Sequence, residues 1–169
     1  MHLAKRNINI RFCDRQVIHC YQQHSPSDYQ PKIVTKGYND MTALKILIAE
    51  DEKVTQKIYQ TSLPETICQH KIVGDGEEAV RVYDEWKPDV VVLDFGLPHL
   101  NGYQVLKTIR GERKDKETVI IMVTGQSDKD SIVACAKLGV QGYIVKPFVN
   151  KELAPKIIKI YKESKKSGA

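Results

Sequence analysis

The sequence predicts a doubly wound α/β domain: a five-stranded parallel sheet of order 2-1-3-4-5 with helices on both faces. Three observations predict it. From Lys45 onward, short apolar runs of strand length alternate five times with amphipathic segments. The runs are apolar on both faces, so the sheet they build must be covered on both sides. The short connections require right-handed crossovers between parallel strands. Of the common orders, 2-1-3-4-5 suits five strands and puts the switch point, where such folds bind ligands, between strands 1 and 3.

In chain order, "KILIAE" (45–50) is the first strand, and Val54 and Ile58, one helical turn apart, mark the first helix. "CQHKIV" (68–73) is a weaker second strand, followed by Ala79, Val82, Tyr83 and Trp86 on one helical stripe. "DVVVLD" (89–94) is the third strand, and Val105, Leu106 and Ile109 mark the third helix. "TVIIMVT" (118–124), "SIVACAKL" (131–138) and "VQGYIV" (140–145) are the fourth strand, fourth helix and fifth strand. Leu153, Ile157, Ile160 and Tyr161 close the pattern with a fifth amphipathic helix.

Residues 1–40 read differently. They mix His, Gln, Asn, Pro and Tyr without a sustained apolar period, except in "NINIRF", where Ile8, Ile10 and Phe12 alternate as in one short strand or docking segment. Met41 then opens "MTALKILIAEDE" in the manner of a natural beginning. The expected organisation is a poorly structured extension or over-called start over 1–40 and one domain over 41–169. Only "KESKKSGA" follows the last helix, so a stand-alone domain without an output module is expected.

Composition sets the outer limits. With 41% hydrophobic and 28% charged residues, the chain has material for one core and is not of the disordered class. No apolar run approaches the roughly 18 residues of a membrane span, and no secretory h-region opens the chain, so the expectation is a cytoplasmic protein without a membrane partner. Cys13, Cys20, Cys68 and Cys135 form no CxxC pair, which fits a reducing compartment. "CDRQVIHCYQQH" gathers Cys13, His19, Cys20 and His24, but at a spacing that matches no common zinc pattern. The net charge of +5 includes six Lys/Arg against three Asp in residues 1–40. Without a basic cluster interleaved with aromatics, it argues against a nucleic-acid partner.

The polar residues at the strand ends carry the chemistry. Strand 1 ends in Glu50-Asp51, strand 3 in Asp94, strand 4 in Thr124-Gly125 and strand 5 in Lys146-Pro147. Each alone is an ordinary turn or cap residue; together, at the carboxyl ends of strands around one switch point, they make a site. Three carboxylates against one lysine repel one another unless a cation joins them, and an all-oxygen donor set suits Mg²⁺, with Mn²⁺ possible. The lysine ammonium and threonine hydroxyl then offer donors to an incoming phosphoryl group. The tripeptide Asp94-Phe95-Gly96 is also found in protein kinases, but the Gly-rich loop, V-A-I-K, H-R-D and A-P-E segments are missing.

These residues also carry a family resemblance. "LIAEDE", "VVLDFGLPHLNG" with Pro98 and Gly102, "VTG" with Thr124, and "GYIVKPF" with Tyr143, Lys146 and Pro147 resemble the response regulator receiver domain of two-component signalling, from about Lys45 to the last helix. The resemblance implies a flavodoxin-like fold in which Asp94 accepts a phosphoryl group from a histidine kinase or histidine phosphotransfer protein. It implies Mg²⁺ held by Asp51, Asp94 and the Gly96 backbone carbonyl, with Glu50 acting through a bound water or as a direct helper. Lys146 would pair with the phosphoryl oxygens, Thr124 and the Gly125 N–H would receive one of them, and the Lys146–Pro147 bond would be cis. Thr124 and Tyr143 would act as the switch, repacking the face of helix 4, strand 5 and helix 5 toward a downstream protein. Lys129, Lys137, Lys156 and Lys159 near that face would favour an acidic partner.

Three positions depart from the family pattern. Glu50 stands where aspartate is more usual, Gly96 leaves one side of the site open to water, and Pro155 falls early in the last helix. Three rival readings fit less well. "GDGEEA" (74–79) matches a dinucleotide fingerprint, but on the second strand and with Asp75, Glu77 and Glu78 where a pyrophosphate would bind. An Mg-dependent aspartate-nucleophile phosphohydrolase would carry a second acid where Gly96 stands. A receiver-like binding module without phosphotransfer would not need the acids, Thr124 and Lys146. The expectation is a signalling phosphoacceptor and not an enzyme, beyond phosphorylating and dephosphorylating itself.

Overall fold

The computed structural model describes residues 9–13, 16–20, 43–66, 68–125 and 129–167. They fall into two units, one within residues 1–42 and the other within residues 43–169. The first contains an antiparallel pair, β1 (Asn9–Cys13) and β2 (Gln16–Cys20). The "NINIRF" segment thus contributes a strand, and its partner, "QVIHC", was not marked by any alternation. The register sets Cys13 opposite Gln16 and Cys20 opposite Asn9, at opposite ends of the ladder. His24 lies outside the described residues.

The second unit runs β3 (Leu44–Ala49), α1 (Lys53–Ser62), β4 (Cys68–Val73), α2 (Gly76–Trp86), β5 (Val90–Asp94), α3 (Gly102–Lys107), β6 (Val119–Thr124), α4 (Lys129–Lys137), β7 (Gly142–Val145) and α5 (Asn150–Ser167). Its sheet has the order β4-β3-β5-β6-β7 with every pair parallel, which is the predicted 2-1-3-4-5. Alternation along the strands divides the core in two. Leu47, Ala49, Val91, Leu93, Ile120 and Met122 pack against α2, α3 and α4. Ile46, Ile48, Val90, Val92, Ile121 and Val123 pack against α1 and α5. Both faces are therefore dry, as runs without a polar side require.

Local chemistry sets the helix ends. Asp75 accepts the Glu78 N–H at 2.8 Å as the α2 cap, so the "GDGEEA" turn is a capping turn. Gly76 is required by packing: a Cβ there would lie 1.8 Å from the Leu100 carbonyl oxygen. Asn101 and Gln104 form a reciprocal capping box at α3, with both bonds 2.9 Å. A Cβ on Gly102 would come within 2.3 Å of the Asp94 carbonyl oxygen, so glycine lets α3 begin against the end of β5.

Three details differ from the sequence pattern. In α1 the core residues are Thr55 and Tyr59, while Val54 is 68% exposed. The Thr55 hydroxyl donates to Glu52 Oε2 at 2.7 Å, which makes its burial tolerable and lets the Tyr59 ring take the apolar side. The third helix continues as a π-helical turn, Thr108–Glu112, in which the Arg113 N–H donates to Thr108 O five residues back. Pro155 is the sixth residue of α5, beyond the first turn, so it withholds a donor from the Lys151 carbonyl.

Candidate functional site

The site forms where the sheet order reverses, at the carboxyl ends of β3 and β5. Glu50 follows β3; its N–H donates to Val73 O at 3.0 Å and its carbonyl accepts Gln56 Nε2 at 2.5 Å. Strand β4 and helix α1 thereby fix its backbone, and its side chain is fully buried. Asp51, next in the chain, is exposed. Asp94 ends β5, buried, with Oδ1 accepting the Phe95 N–H at 2.8 Å.

Lys146, the residue after β7, closes the cluster. Its N–H donates to Thr124 O at 2.8 Å, and its ammonium lies 2.8 Å from Asp94 Oδ2, 2.9 Å from Glu50 Oε1 and 2.7 Å from Glu50 Oε2. The hydrogen bonds run to Asp94 Oδ2 and Glu50 Oε1. Glu50 Oε2 is buried, faces the ammonium outside hydrogen-bond geometry and accepts no hydrogen bond. The Lys146–Pro147 peptide is cis.

Charge and burial act together here. Burial raises the Glu50 carboxyl above its ordinary range; the Asp94 charge adds to this and the Lys146 hydrogen bond opposes it. Burial works against the Lys146 ammonium, but hydrogen bonds to Asp94 and Glu50 outweigh it, and its pKa is raised. Tyr59, buried beneath the cluster, is pushed up first by burial and then by the charges of Glu50 and Asp94.

Carboxylate oxygens of Glu50, Asp51 and Asp94 lie within 4.8 Å of one another. Three carboxylates against one lysine leave unbalanced negative charge, and their hard oxygen donors fit a dication such as Mg²⁺. A Cβ built on Gly96 would meet nothing within 4 Å, and Gly96 is exposed.

The structure thus brings Glu50, Asp51, Asp94 and Lys146 together. Thr124 ends β6, one position beyond the Asp94 partner Val123 and opposite Val145 of β7. Tyr143 sits in β7 with its hydroxyl donating to Ile132 O of α4 at 2.8 Å. Two contacts were missed by sequence reasoning. Gln56 reads as a surface helix residue, and only the placing of α1 after β3 puts its amide on the Glu50 carbonyl. The Phe95 N–H donates to Asp94 Oδ1 as well as to Val123 O, and a backbone donor leaves no mark in a sequence.

Fold and pocket together define a doubly wound α/β domain with an acidic, lysine-closed pocket at its switch point. Residues 46–158 match the family model for the response regulator receiver domain, and the chain belongs to that family, the receiver domains of two-component signalling. It is 37% identical over 127 residues to a probable transcriptional regulator ycf27 of Guillardia theta, covering 75% of this chain and 49% of that protein. The chain therefore spans about half the length of that relative. It is 31% identical over 119 residues to the chemotaxis protein CheY of Pseudomonas aeruginosa, covering 70% of this chain and 96% of that protein. A solved structure of a putative response regulator from Chloroflexus aurantiacus superposes with a TM-score of 0.64 at 27% identity, covering 71% of this chain and 98% of that one. No described helix is long and apolar enough to cross a membrane.

Proposed function

We propose that the chain is a phosphoacceptor: Asp94 takes a phosphoryl group from the phosphohistidine of a histidine kinase or phosphotransfer protein, and the phosphorylated form signals through contact with another protein. The observation that carries this reading is the buried Asp94 carboxylate, with Lys146 at 2.8 Å and two further carboxylates beside it. An oxygen of Asp94 attacks phosphorus as the bond to the donor nitrogen breaks, and the electron pair leaves with the imidazole. Lys146 stays protonated and offers its charge to the phosphoryl oxygens; the Thr124 hydroxyl and Gly125 N–H receive one of them. Asp51, Asp94 and the Gly96 carbonyl would hold Mg²⁺, which when bound neutralises phosphoryl charge.

The signal leaves through Thr124 and Tyr143. Movement of Thr124 toward the phosphoryl group would vacate space beside β7 and release Tyr143 from α4, changing the α4–β7–α5 face presented to a partner. The chain acts on its own acyl phosphate and on no separate substrate, since Gly96 stands where a hydrolase would need an acid. Residues 1–40 lie outside the matched segment and are proposed to be dispensable for phosphorylation.

Incubation with acetyl phosphate and Mg²⁺ tests the reading. Intact-mass spectra should show the gain of one phosphoryl group on the parent and none on Asp94→Asn. The same gain on the variant overturns the assignment of Asp94.

A further inference from the structure

A cleft of about 440 Å³ opens between α3 and α4. Tyr103 lines it from α3, Val133, Ala134 and Lys137 line it from α4, and Leu138 follows directly after that helix. Tyr103 and Leu138 are partly buried and packed against the core of this sheet face, which anchors both. Val133 is 51% exposed. A lone exposed valine is ordinary, but this one stands beside a tyrosine and a leucine in a concave place, where an apolar anchor from a partner can be desolvated.

The same pattern of charge is found on both walls. Lys107 follows Tyr103 by four residues and Lys137 follows Val133 by four, so each wall carries an apolar side chain with an exposed lysine one helical turn on. Each helix returns from the end of one parallel strand to the start of the next, so the two run in the same direction and their lysines lie toward the same end of the cleft. Among the described residues neither lysine forms an ion pair, and no carboxylate lines the cleft. Residues 1–40, with six Lys/Arg against three Asp, and a second copy of a chain with a net charge of +5 both have the wrong sign for this place. An acidic segment has the right one. Walls made of helices with a four-residue step suit a helix laid in the groove, with apolar anchors on one stripe and acids one turn away.

We propose that the α3–α4 cleft docks a short acidic amphipathic helix of a partner protein. One or two apolar side chains of that helix seat against Tyr103, Val133 and Leu138, and its carboxylates pair with Lys107 and Lys137. This surface uses neither Asp94 nor β7 and α5, so it stands or falls separately from the phosphoacceptor reading.

The test titrates the isotopically labelled full chain with a stapled synthetic helix that carries leucines on one stripe and glutamates beside them. One comparison peptide replaces the leucines by alanine and another replaces the glutamates by lysine. Saturable NMR amide shifts should centre on Tyr103, Val133, Ala134, Lys137 and Leu138, and both comparison peptides should bind about tenfold more weakly or worse. Val133→Asp, at an exposed position, and the double variant Lys107→Glu, Lys137→Glu should each lose about tenfold in affinity for the leucine–glutamate helix. The double variant should gain affinity for the lysine peptide, a reversal that damage to the fold cannot produce. No saturable binding up to about 1 mM peptide, equal binding of the alanine peptide, unchanged affinity in the variants, or shifts centred on the lysines of α5 overturns the proposal.

Discussion

The two ends of the five-stranded sheet treat buried charge in opposite ways. At the amino end, Arg110 donates to Gly139 O at 3.2 Å, Asp115 O at 2.9 Å, Thr118 O at 2.7 Å and Gln141 Oε1 at 2.9 Å. Asp115 accepts the Glu117 N–H at 2.6 Å, the Thr118 N–H at 3.1 Å, the Thr118 hydroxyl at 2.5 Å and the Tyr83 hydroxyl. At the carboxyl end, one lysine faces three carboxylates, and a buried oxygen of Glu50 accepts no hydrogen bond. A saturated network has nothing left to offer a ligand and holds the π-helical turn, the α4–β7 turn and the start of β6 together. One lysine against three carboxylates leaves an excess of negative charge for an arriving cation.

If this division holds, the ends can be broken separately. Lys146→Met should slow phosphoryl uptake by about a hundredfold or more, as removal of a transition-state donor does. Arg110→Ala should leave uptake unchanged but cost about 3 kcal/mol in urea unfolding, because several acceptors and Asp115 lose a charged partner. An Arg110→Ala variant that slowed uptake as much as Lys146→Met would show that the ends are not independent.

The ends also differed in how far the sequence revealed them. The clustering of Glu50, Asp51, Asp94 and Lys146 was legible because strand ends point to one place once the order of a parallel sheet is known. The core was visible for the same reason, since Val90, Val91 and Val92 are apolar whichever face they take. Arg110, by contrast, lies beside Ile109 and looked like any charged helix residue. Its role depends on a π-helical turn that no spacing announces and on carbonyls from two separate loops. Val54 was assigned to the core because it is apolar, yet Tyr59 and the hydroxyl-bonded Thr55 set the rotation of α1.

Divalent cation sharpens the contrast at intermediate energy. Mg²⁺ at a hundredfold excess over its dissociation constant should add about 2.7 kcal/mol to the stability of the parent. The same increment is expected in Arg110→Ala, since distant sites add. Calorimetric melts with and without Mg²⁺ check this, and a smaller increment in Arg110→Ala would reveal coupling through the sheet.

The amino end should also respond to acid. Burial works against the charged Asp115, but hydrogen bonds from Thr118 and Tyr83 outweigh it and hold its pKa below the ordinary carboxylate value. Tyr83 is correspondingly pushed up to about 12, mainly by burial and then by its bond to Asp115. A depressed pKa contributes stability above the unfolded-state value, about 3.9, and loses it as pH falls from there through the lower folded value. Asp115→Asn should cost about 2 kcal/mol at pH 7 and show a flatter decline below pH ~4. Parallel declines for the two proteins would remove Asp115 from the acid response.

The smallest effect is expected where the two kinds of region meet, at Tyr143. Its ring packs among the residues of the α2–α4 face and its hydroxyl donates to Ile132 O within α4. A helical carbonyl at that position also accepts the N–H four residues on, so losing the tyrosine hydroxyl orphans no acceptor. Tyr143→Phe should therefore cost only about 0.5 kcal/mol in urea unfolding, the low end for a hydrogen bond. Its consequence for signalling should be larger than for stability. The hydroxyl bond holds the ring against α4 in the unphosphorylated chain, and a switch that releases the ring must break it. Removing the bond in advance should narrow the difference between the two states. With beryllofluoride bound as a phosphoryl mimic, NMR shift changes at Ile132, Cys135 and Tyr143 should shrink relative to the parent, while those at Glu50, Asp51 and Asp94 persist. If the α4 shifts keep their full size in Tyr143→Phe, the hydroxyl is a static contact and the signal leaves the site by another route.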